Sequence, residues 1–485
     1  MNIYQAHAKN TNTYENKGEN MFNKGKRTFT EDSLKALTKN QDDIQFTEIT
    51  VLSRKAFFIF VNGVIDYTEY WKLAQDLTSS YADKIHSYDD LMHFFQPFLF
   101  NVAHTEQELM TELFDGKIAL VLEGKQEALL LNLPSSKTRS FAEPTTERVV
   151  RGPKISLIES LSDNIALIRQ STKDQSTVVR KIKTGSEEKK EIAVIYNKNL
   201  AKQHLVDEVL SRIEKVKKED ILDSGVLEEL IEDTHYTPFP QIQNTERLDK
   251  VLASLKEGRV GIIVDGSPFA LIAPTKVDML LQSPDDYYER WIAGSFLRLL
   301  RYISVFITVF LSAIYISLVS FNSGMIPTEL AMTIAGTRQN VPFPPFIEAI
   351  IMELTIELLR EAGVRLPTPV GQTIGLVGGV IIGQAAVQAN LVSSIMVIIV
   401  SITTITSFTV PQYSFGLGFR ALRFGAMGIA AILGLYGTTL FFIIFITHLA
   451  KLTSFNEPYL DLRQLFNKKK QRDFLIRLPK KAGNN

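Results

Sequence analysis

The chain has no cysteine among its 485 residues. Disulfide bonds, cysteine-ligated zinc sites and cysteine nucleophiles are therefore excluded. The N-terminus also lacks a long hydrophobic run, because its opening residues, MNIYQAHAKNTNTYENK, are polar. A cleavable secretory signal needs an apolar segment of 7–15 residues near the N-terminus, so none is predicted here.

The chain also lacks a net charge and any familiar catalytic motif. Lys+Arg and Asp+Glu both number 53, and this balance gives no reason to expect a nucleic-acid partner. The glycine-rich stretch 375–383 has no following Lys-Ser/Thr, Ser267 lacks a GxSxG frame, and the seven histidines form no HExxH motif. We therefore expect no enzyme activity, no cofactor and no metal site.

An internal repeat organises the first half of the chain. Residues 113–130 read LFDGKIALVLEGKQEALL and residues 255–272 read LKEGRVGIIVDGSPFALI, with the glycines and the acidic-Gly pair aligned at a fixed offset. Each copy has the pattern of a β-hairpin. A fainter match relates 56–66 to 191–201. The sequence predicts a polar tail at 1–42, with a short helix near 31–37, then related α/β subdomains at 43–145 and 185–290.

The segment between the subdomains, 146–184, begins beside a charged cluster. Glu143, Glu147 and Arg151 lie close together in sequence. Carboxylates and guanidinium groups can perform acid–base or phosphate chemistry. The alternative, which we favour, is an ion-paired hinge between the subdomains, since charge clusters are usually structural or solvated.

From residue 291 to 450 the sequence is typical of a membrane domain. A span needs about 20 apolar residues to cross roughly 30 Å of hydrocarbon. Four segments meet or approach this length: 302–321, 372–388, 391–410 and 424–450. The expected fold class is thus an α/β soluble N-terminal region of two related subdomains followed by an all-α multi-span membrane domain and a basic cytoplasmic tail at 451–485.

The second predicted span carries a stripe of glycines. Gly371, Gly375, Gly379 and Gly383 recur at every fourth position. On a helix this spacing places them on one face, where small residues let another membrane helix approach closely. We interpret the stripe as a helix-packing seam.

A helix that bears carboxylates lies between the first two predicted spans. It is expected over 346–362, after a proline-rich start and with Gly363 as its C-cap. At 100° per residue, Glu353, Glu357, Arg360 and Glu361 share one face, whereas Glu348 points away. The helix is expected not to cross the membrane, and ionisable groups in such a domain are functional candidates.

Two interpretations of this helix remain open. It could lie at the membrane surface with its charged face in water. In an oligomer, the same face could instead form rings of carboxylates around a water-filled path that favours cations. In the second case Glu353, Glu357, Glu361 and Arg360 would line the pore, with Arg360 neutralising part of the ring.

Charge also predicts the orientation of the domain. Arg298 and Arg301 flank the first span, and the tail is basic, so both ends are expected on the cytoplasmic side and the number of crossings should be even. Four spans satisfy this condition. One conflict remains, because four spans place Arg420 and Arg423 on the outer side.

Several long motifs make this chain resemble the A subunits of GerA-type spore germinant receptors. They occur in one order: EPTTERVVRGP at 143–153, EGRVGIIVDGSPFAL at 257–271, SPDDYYERW at 283–291, the segment from 342 to 393, and PQYSFGLGFRALRF at 411–424. The segment KISLIES after RGP, and ERLD at 246–249, depart from the family pattern.

The resemblance implies a multi-pass subunit of the inner spore membrane. It further implies a homo-oligomer in membrane lipid that works with a permease-like B-type subunit, which binds the nutrient, and a lipoprotein C-type subunit. Such a receptor would trigger cation release at the start of germination. The chain could be a channel-forming subunit, a non-conducting scaffold that relays nutrient binding, or a transporter. The last is disfavoured because the membrane segments show no inverted repeat.

Overall fold

The structure is a computed structural model of the full chain. It describes residues 29–461 except 40, 53, 81–84, 134–142, 173, 187–188, 368–377 and 380, and it also describes residue 477. Most of the predicted N-terminal and C-terminal tails, together with Gly371 and Gly375, lie outside the described residues.

The first subdomain is built on a five-stranded antiparallel sheet with strand order β1-β2-β4-β5-β3. Helices lie between its second, third and fourth strands, and the helix predicted near 31–37 is present. The elements are α1 (Glu31–Leu37), β1 (Ile44–Val51), β2 (Arg54–Val61), α2 (Tyr67–Gln75), α3 (Tyr88–Phe95), β3 (Leu99–Ala103), α4 (Glu106–Phe114), β4 (Ile118–Leu122) and β5 (Ala128–Leu131).

The second subdomain repeats this topology, with strand order β6-β7-β9-β10-β8. The predicted hairpins are β4–β5 and β9–β10, and their turns contain Gly124 and Gly266 at φ +82° and +84°, which glycine adopts without strain. The two-sheet α/β architecture is therefore confirmed. The elements are α5 (Leu161–Thr172), β6 (Thr177–Thr184), β7 (Lys190–Asn197), α6 (Gln203–Lys215), α7 (Ser224–Ile231), β8 (Gln243–Thr245), α8 (Leu248–Lys256), β9 (Val260–Val264) and β10 (Ala270–Ala273).

A buried ion pair joins the two subdomains. Arg169, on helix α5 of the second subdomain, donates to both carboxylate oxygens of Asp43 at 2.7 and 2.9 Å, and both side chains are almost completely buried. The same guanidinium donates to the Thr177 carbonyl at the start of β6. Removing either partner would leave an uncompensated buried charge, which is costly. The ion pair therefore stabilises the contact between the two subdomains.

The second half of the described chain is helical. It comprises α9 (Val277–Leu281), α10 (Asp285–Tyr288), α11 (Trp291–Ser320), α12 (Thr328–Arg338), α13 (Pro345–Arg365), a helical stretch at 381–388, α14 (Ser394–Ser407) and α15 (Tyr413–Lys451), followed by the short strands β11 (Thr453–Ser454) and β12 (Glu457–Pro458). Within the described residues, α11 and α15 are long and apolar enough to cross a membrane, whereas the apolar helix α14 has only 14 residues.

Helix α15 is a hairpin of two antiparallel arms, 413–433 and 435–451. Gly434 has φ 58° and ψ −142°, far from helical values. The rings of Phe419 and Phe445 lie 6.2 Å apart, although 26 intervening steps along a straight helix would cover roughly 39 Å. Both rings also pack on Phe239 of the second subdomain. The chain therefore leaves that subdomain along the first arm, reverses at Gly434 and returns.

Four predicted spans would place Arg420 and Arg423 on the outer side of the membrane, but the reversal at Gly434 gives them a different position. Both residues lie on the first arm, in the half that is nearer to the soluble region, rather than in an outer loop. The far end of the bundle is where the Gly434 turn meets Phe321, at the end of α11. The two arginines thus lie toward the same end of the bundle as Arg298 and Arg301.

The carboxylate-bearing helix packs against the bundle along one face, and within the described residues it is not among the helices that are long and apolar enough to cross a membrane. The Glu348 carboxylate accepts the Ser393 amide at 2.9 Å, and Arg360 donates to the Ser407 hydroxyl at 3.0 Å. Helices α13 and α14 therefore run parallel from the far end toward the soluble region. The helix also continues through Gly363 to Arg365, because the first residue that forbids continuation is Pro367.

Candidate functional site

The centre of the helical bundle holds a buried carboxylate, Glu353 of α13. Its side chain is completely buried, and one oxygen lies 2.9 Å from the guanidinium of Arg423, which is buried to the same degree. The other oxygen accepts hydrogen bonds from Ser312 of α11 at 3.2 Å and Thr403 of α14 at 3.0 Å. Four helical segments thus meet at one carboxyl group.

One turn further along α13, Glu357 is surrounded by three arginines. Its carboxylate lies 3.1 Å from Arg423, 3.4 Å from Arg360 and 3.7 Å from Arg420. Only Glu357 among these four is appreciably exposed, at 24% of its side chain. Three guanidinium groups against the carboxylates of Glu353 and Glu357 give this ion-pair cluster one net positive charge.

Two further glutamates of α13 have ion-pair partners of their own. Glu348, predicted to face away, is fully buried and lies 2.8 Å from Arg338, because α12 and the start of α14 cover that side of the helix. Glu361, predicted to join the charged face, is exposed and pairs with Arg365 one turn on. The exposed face of α13 is mainly apolar, with Ile347, Ile351, Leu354 and Leu358.

A row of small hydroxyl side chains on α11 continues the polar interior on both sides of Glu353. Thr308 donates to Thr406 of α14 at 3.0 Å, and Ser317 lies 2.8 Å from Thr438 of the returning arm. Hydroxyls can satisfy one another inside an apolar bundle, whereas unpaired polar groups are costly there. A polar seam therefore runs along α11 through the otherwise apolar interior, and Glu353 lies between its two hydroxyl pairs.

The glycine stripe is described only at Gly379 and Gly383. A Cβ at Gly383 would contact Val397 of α14 at 3.8 Å, an ordinary packing distance, whereas a Cβ at Gly379 would meet no described atom within 4 Å. The tighter approach is at Gly378, where a Cβ would lie 3.3 Å from Leu359. Among the described residues of one chain, the space beside Gly379 is therefore open.

The charged cluster at the start of the connecting segment contacts the second subdomain. Glu147 pairs with Lys250 at 2.6 Å, and the exposed Glu143 lies 3.6 Å from Lys154. Arg151 has no carboxylate partner among the described residues. Its backbone N–H donates to Asp285 at 3.4 Å, and the residue is exposed. The observed ion pairs therefore join different partners from those that proximity in sequence suggested.

Glu246 of the second subdomain holds this segment in place. Its carboxylate accepts the backbone N–H groups of Thr146 and Glu147 at 2.6 and 3.0 Å, as well as both hydroxyls of the Thr145–Thr146 pair. Burial alone would raise the pKa of Glu246, but these hydrogen bonds outweigh it and the pKa is lowered. Two motifs that are distant in sequence, EPTTE and ERLD, thus form one contact.

Sequence reasoning missed the connection between the soluble region and the first membrane helix. Asp286, on α10, is completely buried and pairs with Arg298 at 3.3 Å and with Arg301 at 2.8 Å. Arg301 also donates to the Leu281 carbonyl at 2.8 Å. The signal was the acidic pair in the motif SPDDYYERW, followed seven and ten residues after its end by Arg298 and Arg301.

A further acidic residue, the half-buried Glu228, lies where α7 approaches the helical bundle. Burial, and then the neighbouring Glu232, raise the pKa of Glu228 to about 8. Its partner Asn244 accepts a hydrogen bond from Gln412, the residue that precedes α15. Glu228 is therefore part of the contact between the soluble region and the bundle.

We expect Glu228→Gln to stabilise the chain at alkaline pH. Because the pKa is higher in the folded state, the stability that protonation contributes is complete below pH 4.5 and is lost as pH rises toward 8. The neutral amide avoids this loss, so the Tm should rise above wild type at pH 8.5 and change little at pH 5. Thermal unfolding of the full chain in detergent measures this, with the exposed Glu229→Gln as control. Equal shifts at both pH values would contradict it.

Comparison with known proteins supplies the family. A family model described as "Bacillus/Clostridium GerA spore germination protein" matches residues 32–485. The chain belongs to the GerA family. Spore germination protein A1 of Bacillus subtilis (strain 168) is 55% identical over 377 residues, which cover 78% of each chain. Spore germination protein B1 of the same organism is 46% identical over 92% of this chain and 94% of its own.

Other GerA-family relatives extend the comparison to further species and to a solved domain. Spore germination protein GerLA of Bacillus cereus is 42% identical and covers 78% of this chain and 76% of its own length. A crystal structure of the N-terminal domain of the A subunit of the Bacillus megaterium spore germinant receptor GerK3 is 27% identical, with a TM-score of 0.39, and covers 50% of this chain and 92% of that one. The resemblance inferred from the motifs is thus confirmed as family membership.

Proposed function

We propose that this chain is the A-type subunit of a spore germinant receptor in the inner spore membrane and that, as an oligomer, it forms the receptor's cation path. Membership of the GerA family and the names of its relatives support the receptor role. The observation that carries the channel role is the ion-pair cluster of Glu353, Glu357, Arg360, Arg420 and Arg423 inside an apolar helical bundle. Charges in such a setting usually mark an ion pathway or a switch.

The described arrangement corresponds to a closed state in this proposal. Glu353 and Glu357 are neutralised by arginines, and the net positive charge of the cluster opposes the entry of cations. Opening requires the arginines to exchange these contacts, so that carboxylates, together with Glu361 at the exposed end of α13, line a hydrated path. The Ser and Thr hydroxyls of the polar seam supply further oxygen ligands along α11.

A non-conducting relay is the second candidate, and one observation favours it. Asp286 ties the soluble region to α11 through Arg298 and Arg301, so that movement of the soluble region would be transmitted directly into the bundle. In the relay, the chain couples a permease-like B-type partner and a lipoprotein C-type partner to a separate effector.

The receptor role is tested by deleting the gene and measuring potassium release from purified spores exposed to a panel of nutrients. We expect the response to one nutrient class to disappear and to return on complementation. An unchanged response to every nutrient that the parent strain recognises would contradict the receptor role.

Oligomerisation in this proposal uses the open side of the glycine stripe. Because a side chain at Gly379 meets no described atom of its own chain, Gly379→Leu should fold normally and fail to assemble. Size-exclusion chromatography with light scattering measures the change, and potassium release should fall in parallel. Gly336→Leu on α12 is a matched control, since its surroundings are equally open. An intact oligomer in the Gly379→Leu variant would exclude this seam.

The soluble region is proposed to lie in the spore core or cytoplasm. The end of the bundle beside it carries Arg298, Arg301, Arg420 and Arg423, and positively charged residues favour the cytoplasmic side of a membrane. Gln126→Cys, in the exposed β4–β5 turn, tests this orientation in a chain that has no other cysteine. The neighbouring Lys125 is less suitable because it packs over the Tyr88 ring. We expect a membrane-impermeant maleimide to label Gln126→Cys only after permeabilisation. If intact cells were labelled at the same rate as permeabilised cells, the soluble region would lie on the opposite side of the membrane.

A further inference from the structure

A cavity of about 600 Å³ lies where the soluble region meets the near end of the helical bundle. One wall is the connecting segment at Thr145–Val149, and the other is formed by α11, α13 and the turn between α14 and α15. Five basic side chains and two acidic ones line it. The cavity therefore carries an excess of positive charge at the level where a membrane surface would meet the soluble region.

The acidic groups of this cavity already have partners. Glu147 pairs with Lys250 at 2.6 Å, and Asp285 accepts the backbone N–H groups of Val150 and Arg151. Arg301 is likewise paired with Asp286. The remaining buried cations of the lining are Arg360 and Arg420.

Arg360 and Arg420 have donor capacity that the described residues do not use. Their side chains are only 9% and 7% exposed. Nε and Nη1 of Arg360 and Nε of Arg420 make no hydrogen bond with a described residue, although Glu357 lies within 3.4 and 3.7 Å. Their planes rest on the rings of Phe408 and Tyr413. A buried N–H without an acceptor is costly, so two such arginines at one cavity point to an anionic ligand.

The chemistry of the lining narrows the class of anion. Guanidinium groups match the tetrahedral oxygens of phosphate better than any other side chain that lines this cavity. Leu297, Leu300 and Val364 form an apolar rim that continues onto the exposed face of α11. Basic pockets between membrane helices on the cytoplasmic side are a known form of lipid headgroup site.

We propose that this cavity binds the phosphate group of an anionic phospholipid, held by Arg360 and Arg420. The headgroup sits between the connecting segment and the bundle, and its acyl chains leave along the apolar rim. Because Arg360 and Arg420 also contact Glu357, occupancy of the cavity competes with the ion-pair cluster for the same guanidinium groups. Lipid binding thereby favours release of Glu357.

The test is native mass spectrometry of the full chain in neutral detergent, with phosphatidylglycerol and phosphatidylcholine of matched acyl chains. We expect wild type to retain phosphatidylglycerol in preference to phosphatidylcholine. Arg360→Gln and Arg420→Gln should each weaken retention about tenfold, the effect of losing one charge-assisted contact. The exposed Arg365→Gln on the same helix should retain lipid like wild type.

Two further measurements separate the remaining outcomes. Val364→Trp fills the rim without removing a charge, and it should also weaken retention, which guards against misfolding of the arginine variants. If inorganic phosphate at millimolar concentration displaces the lipid with the same arginine dependence, the site binds phosphate from solution as well. Equal retention of both lipids, or equal retention by wild type and all three cavity variants, would overturn the proposal.

Discussion

Arg423→Met should be among the most damaging substitutions in the chain. It removes the partner of a completely buried carboxylate, Glu353, and the shortest contact of Glu357. Breaking a buried ion pair from one side costs about 3–5 kcal/mol, because the remaining charge has neither water nor a counterion. We expect the full chain to lose most of its thermal stability in detergent and to accumulate poorly in membranes.

The double variant Glu353→Met/Arg423→Met separates the ion pair from general packing. Replacing both charges with apolar side chains of similar volume should restore much of the stability. Arg365→Met is the surface control, since exposed pairs such as Glu361–Arg365 contribute only about 0.3–0.5 kcal/mol. If Arg423→Met were as stable as the double variant, the buried Glu353 carboxylate would not need Arg423 to compensate its charge.

Gly434→Ala should be nearly as harmful, although it adds only one methyl group. The backbone at Gly434, φ 58° and ψ −142°, is strained for any residue with a Cβ, at about 1–3 kcal/mol. The added Cβ would also lie 2.9 Å from Phe321 side-chain atoms. We expect a marked fall in Tm and loss of the contact between the two arms of α15.

Gly428→Ala, on the first arm of the same helix, is the matched control. A Cβ there meets no described atom within 4 Å, and alanine favours a helix over glycine by roughly 0.8–1 kcal/mol. Its Tm should equal or exceed that of wild type. Equal Tm values for the two variants would mean that the reversal at Gly434 does not stabilise the bundle.

The paired hairpins of the soluble region were predictable because their signal is local. Alternating apolar strands around an acidic-Gly turn specify a β-hairpin whatever surrounds them, and the repeat specified it twice. The way in which the two subdomains meet was not predictable, since it depends on contacts such as Asp43–Arg169 between residues 126 positions apart.

The bundle was harder to predict because hydropathy gives the length of an apolar segment but does not show where the chain reverses direction within it. The run 424–450 reads as one span, yet it contains the Gly434 reversal, and a glycine in an apolar run gives no sign of its backbone angles. Helical periodicity placed Glu353, Glu357 and Arg360 on one face, and in the structure all three lie on the side of α13 that meets α14 and α15. Periodicity could not show that Arg423, 66 residues beyond Glu357, supplies the partner.

The most direct test of the proposed function is a conductance measurement. The receptor, purified with its partner subunits, is incorporated into planar bilayers in a potassium gradient, and nutrient is added. We predict a nutrient-dependent, cation-selective current. A receptor that stays assembled and binds nutrient but never conducts would contradict the proposed cation path. The non-conducting relay would then be the remaining candidate function.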